Sequence, residues 1–353
     1  MPGKLMIRHG IRRGLPLRIS FKVVFDKGVR RLADAGAACY VRPMPTSIDH
    51  SGRTFARAGS RAVVVFGLAL MLVARAGFAQ SHELHLDVIT SSPGSLNVNF
   101  TLISGDTDAV LVDVPFLRSD AYRLVGDILD SGKRLQTIVV THGHPDHYFS
   151  LDVFRDAFPD VDVVAAPEVV ADIWRGFPNR LAFWAPRIGA NAPRYPYVPE
   201  ALDGTAFALE GHTIELLGPM QGDAAHSTAV YVPDLNALMA GDIVFNHVHV
   251  GTGGQSRAQR AAWQQSLKSL LGLNPEIVVA GHTKPGLPHT RAALEYTLEY
   301  LQRFERAVHE AHDAQELMGI MRREYPDAMD FQGDFILTSA ANSAMQEKLG
   351  DRP

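Results

Sequence analysis

The sequence predicts a layered α/β domain of about 270 residues, and three observations predict it. Short apolar strands alternate with helix-patterned segments from about residue 83 onward. Imidazole and carboxylate side chains recur where those strands end. No solenoid-length repeat and no low-complexity block interrupts the pattern. With 46% hydrophobic and 20% charged residues, the chain of 353 can bury a sizeable core.

The segment before this domain reads as a leader. Residues 1–79 hold 14 Lys and Arg against 3 Asp and Glu, a net of +11, while the whole chain is −4. Residues 62–74, AVVVFGLALMLVA, form an apolar run preceded by Arg53, Arg57 and Arg61 and followed by the small residues Gly77 and Ala79. That is the layout of a secretory signal cleaved after Ala79, and thirteen apolar residues are short for a membrane span. Met44 lies at a suitable distance upstream, so residues 1–43 are expected to be an over-called extension, 44–79 the signal and 80–353 the working domain. The expected location is the periplasm or the exterior, without stable membrane association once the leader is removed. The rest of the chain is acidic, which excludes nucleic-acid binding by phosphate neutralisation. Cys39 is the single cysteine. The mature chain therefore has no thiol, and any metal site in it must use His and carboxylate.

Strands are expected at 84–90, 96–104 and 108–115, from apolar runs bounded by turn residues. Residues 118–131 carry Leu124, Val125, Ile128 and Leu129 at helical spacing. A buried strand, QTIVVT, follows, then a helix over 148–158, a strand over 161–167 and a helix over 167–175. The stretch 176–200 is rich in Pro and aromatics and is expected to be a long packed loop walling a pocket. Strands return at 205–209, 212–218, 228–233 and 237–242. A helix over 257–271 and a strand over 276–282 come next, and helical segments at 290–323 and 333–347 close the chain.

The chemistry concentrates at strand ends. The stretch VVTHGHPDHYFS places His142, His144, Asp146 and His147 directly after an apolar run. Asp113 follows AVLV, His226 lies in GDAAHST, Asp242 ends LMAGD and His282 ends VVAGH. Four ionisable groups packed as H-x-H-x-D-H repel or stay solvated unless a cation gathers them. A rigid sheet can converge such groups from distant positions. Five His and two Asp suffice for two divalent cations; imidazole suits zinc or iron, and a carboxylate can bridge a pair. His247 and His249, in NHVHVGTGG, read equally as loop residues or as groups facing a substrate.

These motifs resemble the metallo-β-lactamase fold superfamily, in particular its glyoxalase-II-like hydrolases, over residues 86–290. The resemblance implies an αββα sandwich with metals at one edge. His142, His144 and His226 would hold the first metal, Asp146, His147 and His282 the second, with Asp242 bridging. Asp113 would orient a ligand His from behind. Zinc is the expected pair of ions, with iron or manganese as alternatives. The implied reaction is hydrolysis of a small-molecule acyl bond (lactone, ester, thioester or amide) by a metal-bridging hydroxide, with Asp146 orienting it or relaying its proton. Secreted β-lactamases of this superfamily carry Cys at the position of Asp242 or lack a bridging acid there, so β-lactam hydrolysis is a secondary expectation. An iron-dependent oxidative enzyme and a non-catalytic metal- or ligand-binding envelope protein are the remaining alternatives.

Overall fold

The computed structural model describes residues 83–331 and 333–350. The expectations for residues 1–43 and 44–79, Cys39 included, lie outside the described residues. Two sheets divide most of the strands. The first has the order β1 (His85–Thr90), β2 (Asn99–Ser104), β3 (Asp108–Val112), β4 (Arg134–Val139), β5 (Asp162–Ala165) and β6 (Glu200–Ala201). Its first three strands are antiparallel, and from β3 onward neighbours run parallel. Parallel neighbours require crossovers, supplied after β3 by helix α1 (Arg118–Ser131), after β4 by α2 (Leu151–Ala157) and after β5 by α3 (Pro167–Ile188).

The second sheet is built from β7 (Ala206–Leu209), β8 (His212–Met220), β9 (Ser227–Val232) and β10 (Ala237–Met239). Beyond β11 (Phe245–Asn246) and helix α4 (Arg257–Gly272), β12 (Ile277–Val279) returns beside β10 in parallel. β11 forms a short parallel pair with β13 (His282–Thr283). Helices α5 (Ala292–Glu310), α6 (Ala314–Glu324) and α7 (Phe335–Gly350) close the described chain. Continuous apolar runs such as Val110–Val112 and Ile138–Val140 are fully inside, as strands covered on both faces must be. One core joins Phe100, Leu111 and Ile138 of the first sheet to Val230 and Leu238 of the second and to Trp263 and Phe304 of the helices. The layered mixed α/β architecture and the C-terminal helices are those expected from the sequence. Among the described residues no helix is long and apolar enough to cross a membrane.

One expectation is corrected. Most of the predicted loop over 176–200 is helix: α3 runs to Ile188 through Pro178 and Pro186. Each internal proline removes one helical hydrogen bond and costs about 3 kcal/mol in an isolated helix. The tertiary structure offsets that by burying Val169, Ile173 and Phe177 along one stripe. Trp184 continues the stripe with its ring edge-on to Phe116, centroids 5.1 Å apart. Beyond α3, the Tyr195 hydroxyl donates to Asp156 Oδ1 at 2.7 Å.

The two sheets meet at the edge where the chemistry lies. Thr228 N donates to Thr141 O (2.9 Å), and Asn99 N donates to Gly281 O (2.8 Å). The ends of β3, β4, β10 and β12 are thereby drawn to one rim.

Candidate metal centre

Two groups of four donors form at that rim: His142, His144, Asp223 and Asp242, and Asp146, His147, Asp242 and His282. Within each group the donor atoms lie within 4.8 Å of one another, and Asp242 belongs to both. The second group is the one the motifs predicted, residue for residue. His147 Nε2 stands 3.2 Å from Asp242 Oδ1 and 3.9 Å from Asp146 Oδ2. His282 Nε2 stands 3.2 Å from Asp242 Oδ2 and 3.4 Å from Asp146 Oδ2. Bonds of about 2.0–2.2 Å to a tetrahedral cation put its ligands roughly 3.3–3.6 Å apart, so these separations suit a shared ion.

The first group differs from the sequence expectation at one position. His226 is in neither group; its Nδ1 pairs with Asp172 Oδ2 at 2.8 Å, and its side chain is 40% exposed. Asp223, three residues earlier in the same turn, stands among the first group instead, with Oδ2 2.7 Å from His144 Nδ1 and Oδ1 3.7 Å from His142 Nε2. Its backbone is tied down from both sides: Asp223 N donates to Asp242 O (3.1 Å), and Gln255 Nε2 donates to Asp223 O (2.7 Å). His226 immediately precedes β9 and faces α3. The available signal was the acid in GDAAHST, which the nearby histidine overshadowed.

The imidazoles are held from behind. Thr141 N and Oγ1 both donate to the Asp113 carboxylate at 2.8 Å. With its proton so placed, Thr141 Oγ1 accepts from His142 Nδ1 at 3.0 Å. His147 Nδ1 donates to Asp113 Oδ2 (2.8 Å), and His282 Nδ1 donates to Leu96 O (2.9 Å). These bonds fix the tautomer that leaves each Nε2 bare toward the cluster. Asp113 therefore serves two of the imidazoles at once. Gly281 has a steric reason: a Cβ there would lie 1.9 Å from Asp242 Oδ1.

The atoms facing the centre of the cluster lack partners. Among the described residues, His142 Nε2, His147 Nε2, Asp223 Oδ1 and Asp242 Oδ1 are buried with no hydrogen-bond partner. Orphaned polar atoms of this kind are costly unless something satisfies them. The charges are equally crowded. Burial and the His147 charge push His142 well below its usual range. Burial opposes ionisation of Asp242, yet His282 and His147 hold it well below the usual carboxylate range. Burial would lower His282, but Asp242 and Asp146 raise it to about 10. Burial pushes Asp223 up to about 7 against the pull of His144. Mixed imidazole and carboxylate donors, bare nitrogens and this spacing fit two divalent cations of the zinc, iron or manganese type.

A cavity of about 330 Å³ opens over the groups, lined by His144, Asp146, Asp223, Asp242 and His282 together with Arg180, Trp184 and Phe331. Gly251 and Gly253, from the stretch after Asp242, complete part of its wall. His247 and His249 are elsewhere: His247 stacks on Tyr296, and buried His249 pairs with the Tyr300 hydroxyl at 2.8 Å. A larger cleft of about 600 Å³ beside Val161–Val164 contains no member of either group, so size does not mark the site here.

A family model described as the metallo-beta-lactamase superfamily matches residues 93–282, a span that contains both donor groups. Among characterised relatives, a metallo-beta-lactamase type 2 of Pseudomonas aeruginosa is 22% identical over 183 residues, 51% of this chain and 65% of that protein. Among solved structures, a metallo-beta-lactamase family protein from Thermus thermophilus is 24% identical, with a TM-score of 0.55 over 76% of this chain and 93% of that one. A metallo-beta-lactamase from Pontibacter korlensis is 22% identical, with a TM-score of 0.44 over 62% of this chain and 94% of that one. The structural likeness is one of fold.

Proposed function

Because the chain belongs to the metallo-β-lactamase superfamily, we propose that it is a metal-dependent hydrolase of a small-molecule acyl bond: a lactone, ester, thioester or amide. The observation that carries this reading is the pair of donor groups sharing Asp242 at the floor of an open cavity. Two divalent cations in such a site supply Lewis-acid polarisation of a carbonyl and acidify water near neutral pH. His142, His144 and Asp223 would hold one ion and Asp146, His147 and His282 the other, with Asp242 between them. Asp113 holds His147 directly and His142 through Thr141, and the Leu96 carbonyl holds His282, so these three donors need no rearrangement on loading. Asp146 lines the cavity as well as the second group, which suits its carboxylate to orient a water or pass a proton to the leaving group. The apolar wall of Leu96, Trp184, Phe245 and Phe331 limits water around the reacting centre. The leader-like segment supports export to an envelope or extracellular compartment, and the acidic domain supports a small molecule over nucleic acid as the partner.

A second reading has a specific observation in its favour. With Asp223 in place of a third imidazole, each group has two His and two carboxylates, one of them shared. Two imidazoles with carboxylate also suit iron and manganese, so an iron-dependent oxidative enzyme of this fold is the alternative. Elemental analysis of protein purified from its native host separates the two, and so does turnover of the metal-loaded protein on lactones, thioesters, esters and a chromogenic cephalosporin. Iron as the native metal together with no turnover on any of these substrates would reject the hydrolase.

A further inference from the structure

The cavity wall contributed by α3 has a feature the acyl-transfer chemistry does not require. The stripe Val169, Ile173 and Phe177 faces the core, and Trp184 continues it. Between Phe177 and Trp184, on the same side, stands Arg180, half-buried and lining the cavity. Its guanidinium lies against the ligand-bearing turn, since a Cβ placed on Gly143 would be 3.5 Å from both Nη1 and Nη2. Gly143 separates His142 from His144, so the cation sits beside the first donor group.

Arg180 spends little of its hydrogen-bonding capacity on the protein. Nη1 donates to Asp172 O at 3.1 Å, and no carboxylate of the described residues forms an ion pair with it. The nearby acids are committed elsewhere: Asp172 to His226 and Arg175, and Asp223 to His144. The buried Tyr148 side chain, from the residue just after His147, lies beside the guanidinium; a phenol is a hydrogen-bonding neighbour there and not a counter-ion. A guanidinium has five N–H donors in a planar fork that matches a carboxylate. Half-buried without an anion, the guanidinium keeps donors available to a ligand in the cavity that it lines. The same cavity has an apolar part to its lining, with Leu96, Phe245, Phe331 and Ile336.

We propose that Arg180 is a specificity residue that anchors a carboxylate of the substrate, so that the preferred substrates are acyl compounds with a free carboxylate beside the scissile carbonyl and an apolar flank. This rests on the acyl-hydrolase reading for the reaction, though not for the binding. The carboxylate would take the open edge of the fork while the carbonyl lies over the donor groups and the apolar flank lies along Trp184 and Phe331.

The test pairs two probes that differ only in charge. Metal-free wild type, Arg180→Gln and Arg180→Lys are titrated with 4-phenylbutyrate and with 4-phenylbutyramide, reading tryptophan fluorescence, with circular dichroism to verify folding. Arg180→Gln should weaken 4-phenylbutyrate about ten- to a hundredfold, the range of a charged hydrogen-bonded contact, and leave the amide unchanged. Arg180→Lys, which keeps the charge without the fork, should fall between. The same variants, metal-loaded, are then assayed on 4-nitrophenyl hydrogen glutarate and its methyl ester, where KM should rise in Arg180→Gln for the acid alone. Equal weakening of both phenylbutyrate probes, or no weakening of either, overturns the assignment. If neither glutarate is hydrolysed while the phenylbutyrate discrimination persists, the hydrolase reading fails and the anchor stands. If both are hydrolysed with KM unchanged by Arg180→Gln, the anchor fails and the hydrolase stands.

Discussion

The two donor groups are built to different standards. In the group of Asp146, His147, Asp242 and His282, every member is buried, and both imidazoles are fixed from behind by Asp113 and by the Leu96 carbonyl. In the group of His142, His144, Asp223 and Asp242, His144 and Asp223 are only partly buried, and His144 turns Nδ1 inward with no support from behind among the described residues. The first kind of site is completed by the scaffold, the second by a loop at the cavity mouth. Preorganised ligands bind without paying for ordering, so the buried group should hold its ion more tightly and the open group should exchange faster.

The largest effect is expected where the groups join. Asp242→Ala should abolish binding of both ions and all hydrolysis, because it removes the shared donor; elemental analysis after gel filtration checks this, and retention of two ions would break the description of Asp242 as common to both. Gly281→Ala should come close behind. The added methyl occupies the place of Asp242 Oδ1, and overpacking costs about 1–3 kcal/mol of stability, readable as a lower denaturation midpoint alongside metal loss.

Asp113→Ala tests the support behind the buried group. Loss of an outer hydrogen bond to a metal-bound imidazole typically costs about 10–100-fold in affinity, and the weakening should fall more on the buried group than on the open one. Asp223→Asn and His226→Ala sharpen the contrast within a single turn. The first should remove the weaker ion and leave the tighter one, whereas the second should leave the metal content at its wild-type value. A reversed result would return His226 to the ligand set.

The smallest effect is a control remote from both groups. Glu210 accepts from Asp106 N, Thr107 N and Asp108 N, each at 2.7 Å, and these bonds hold its carboxyl down to about 2. A depressed carboxyl contributes stability above its ordinary value of 4.5 and loses it as the pH falls toward 2. Glu210→Gln should therefore be less stable than wild type near pH 6, with the gap closing between about pH 4.5 and pH 2. Its metal content should not change.

The same contrast explains what could be read in advance. His142, His144, Asp146 and His147 are close in sequence and follow a buried strand, so their convergence is nearly local. Asp113, Asp242 and His282 each end an apolar run, and strand ends at a sheet rim are places where side chains meet. Asp223 had no such marker: it lies in a loop whose path is set by contacts to Asp242 and Gln255, far away along the chain. The continuation of α3 past residue 175 escapes the sequence for a related reason, since Pro178 and Pro186 argue locally for a loop while the burial of Ile173, Phe177 and Trp184 argues only in three dimensions.

By itself, then, the order of residues determined the layered α/β class, the acidic character of the domain and six of the seven donors, because hydrophobic period and strand-end chemistry are local quantities. Only the tertiary structure decided that Asp223 and not His226 joins the first group, that α3 survives its prolines, and that Arg180 faces the cavity. Those outcomes depend on which surfaces are buried against one another, an energy that no short stretch of chain contains.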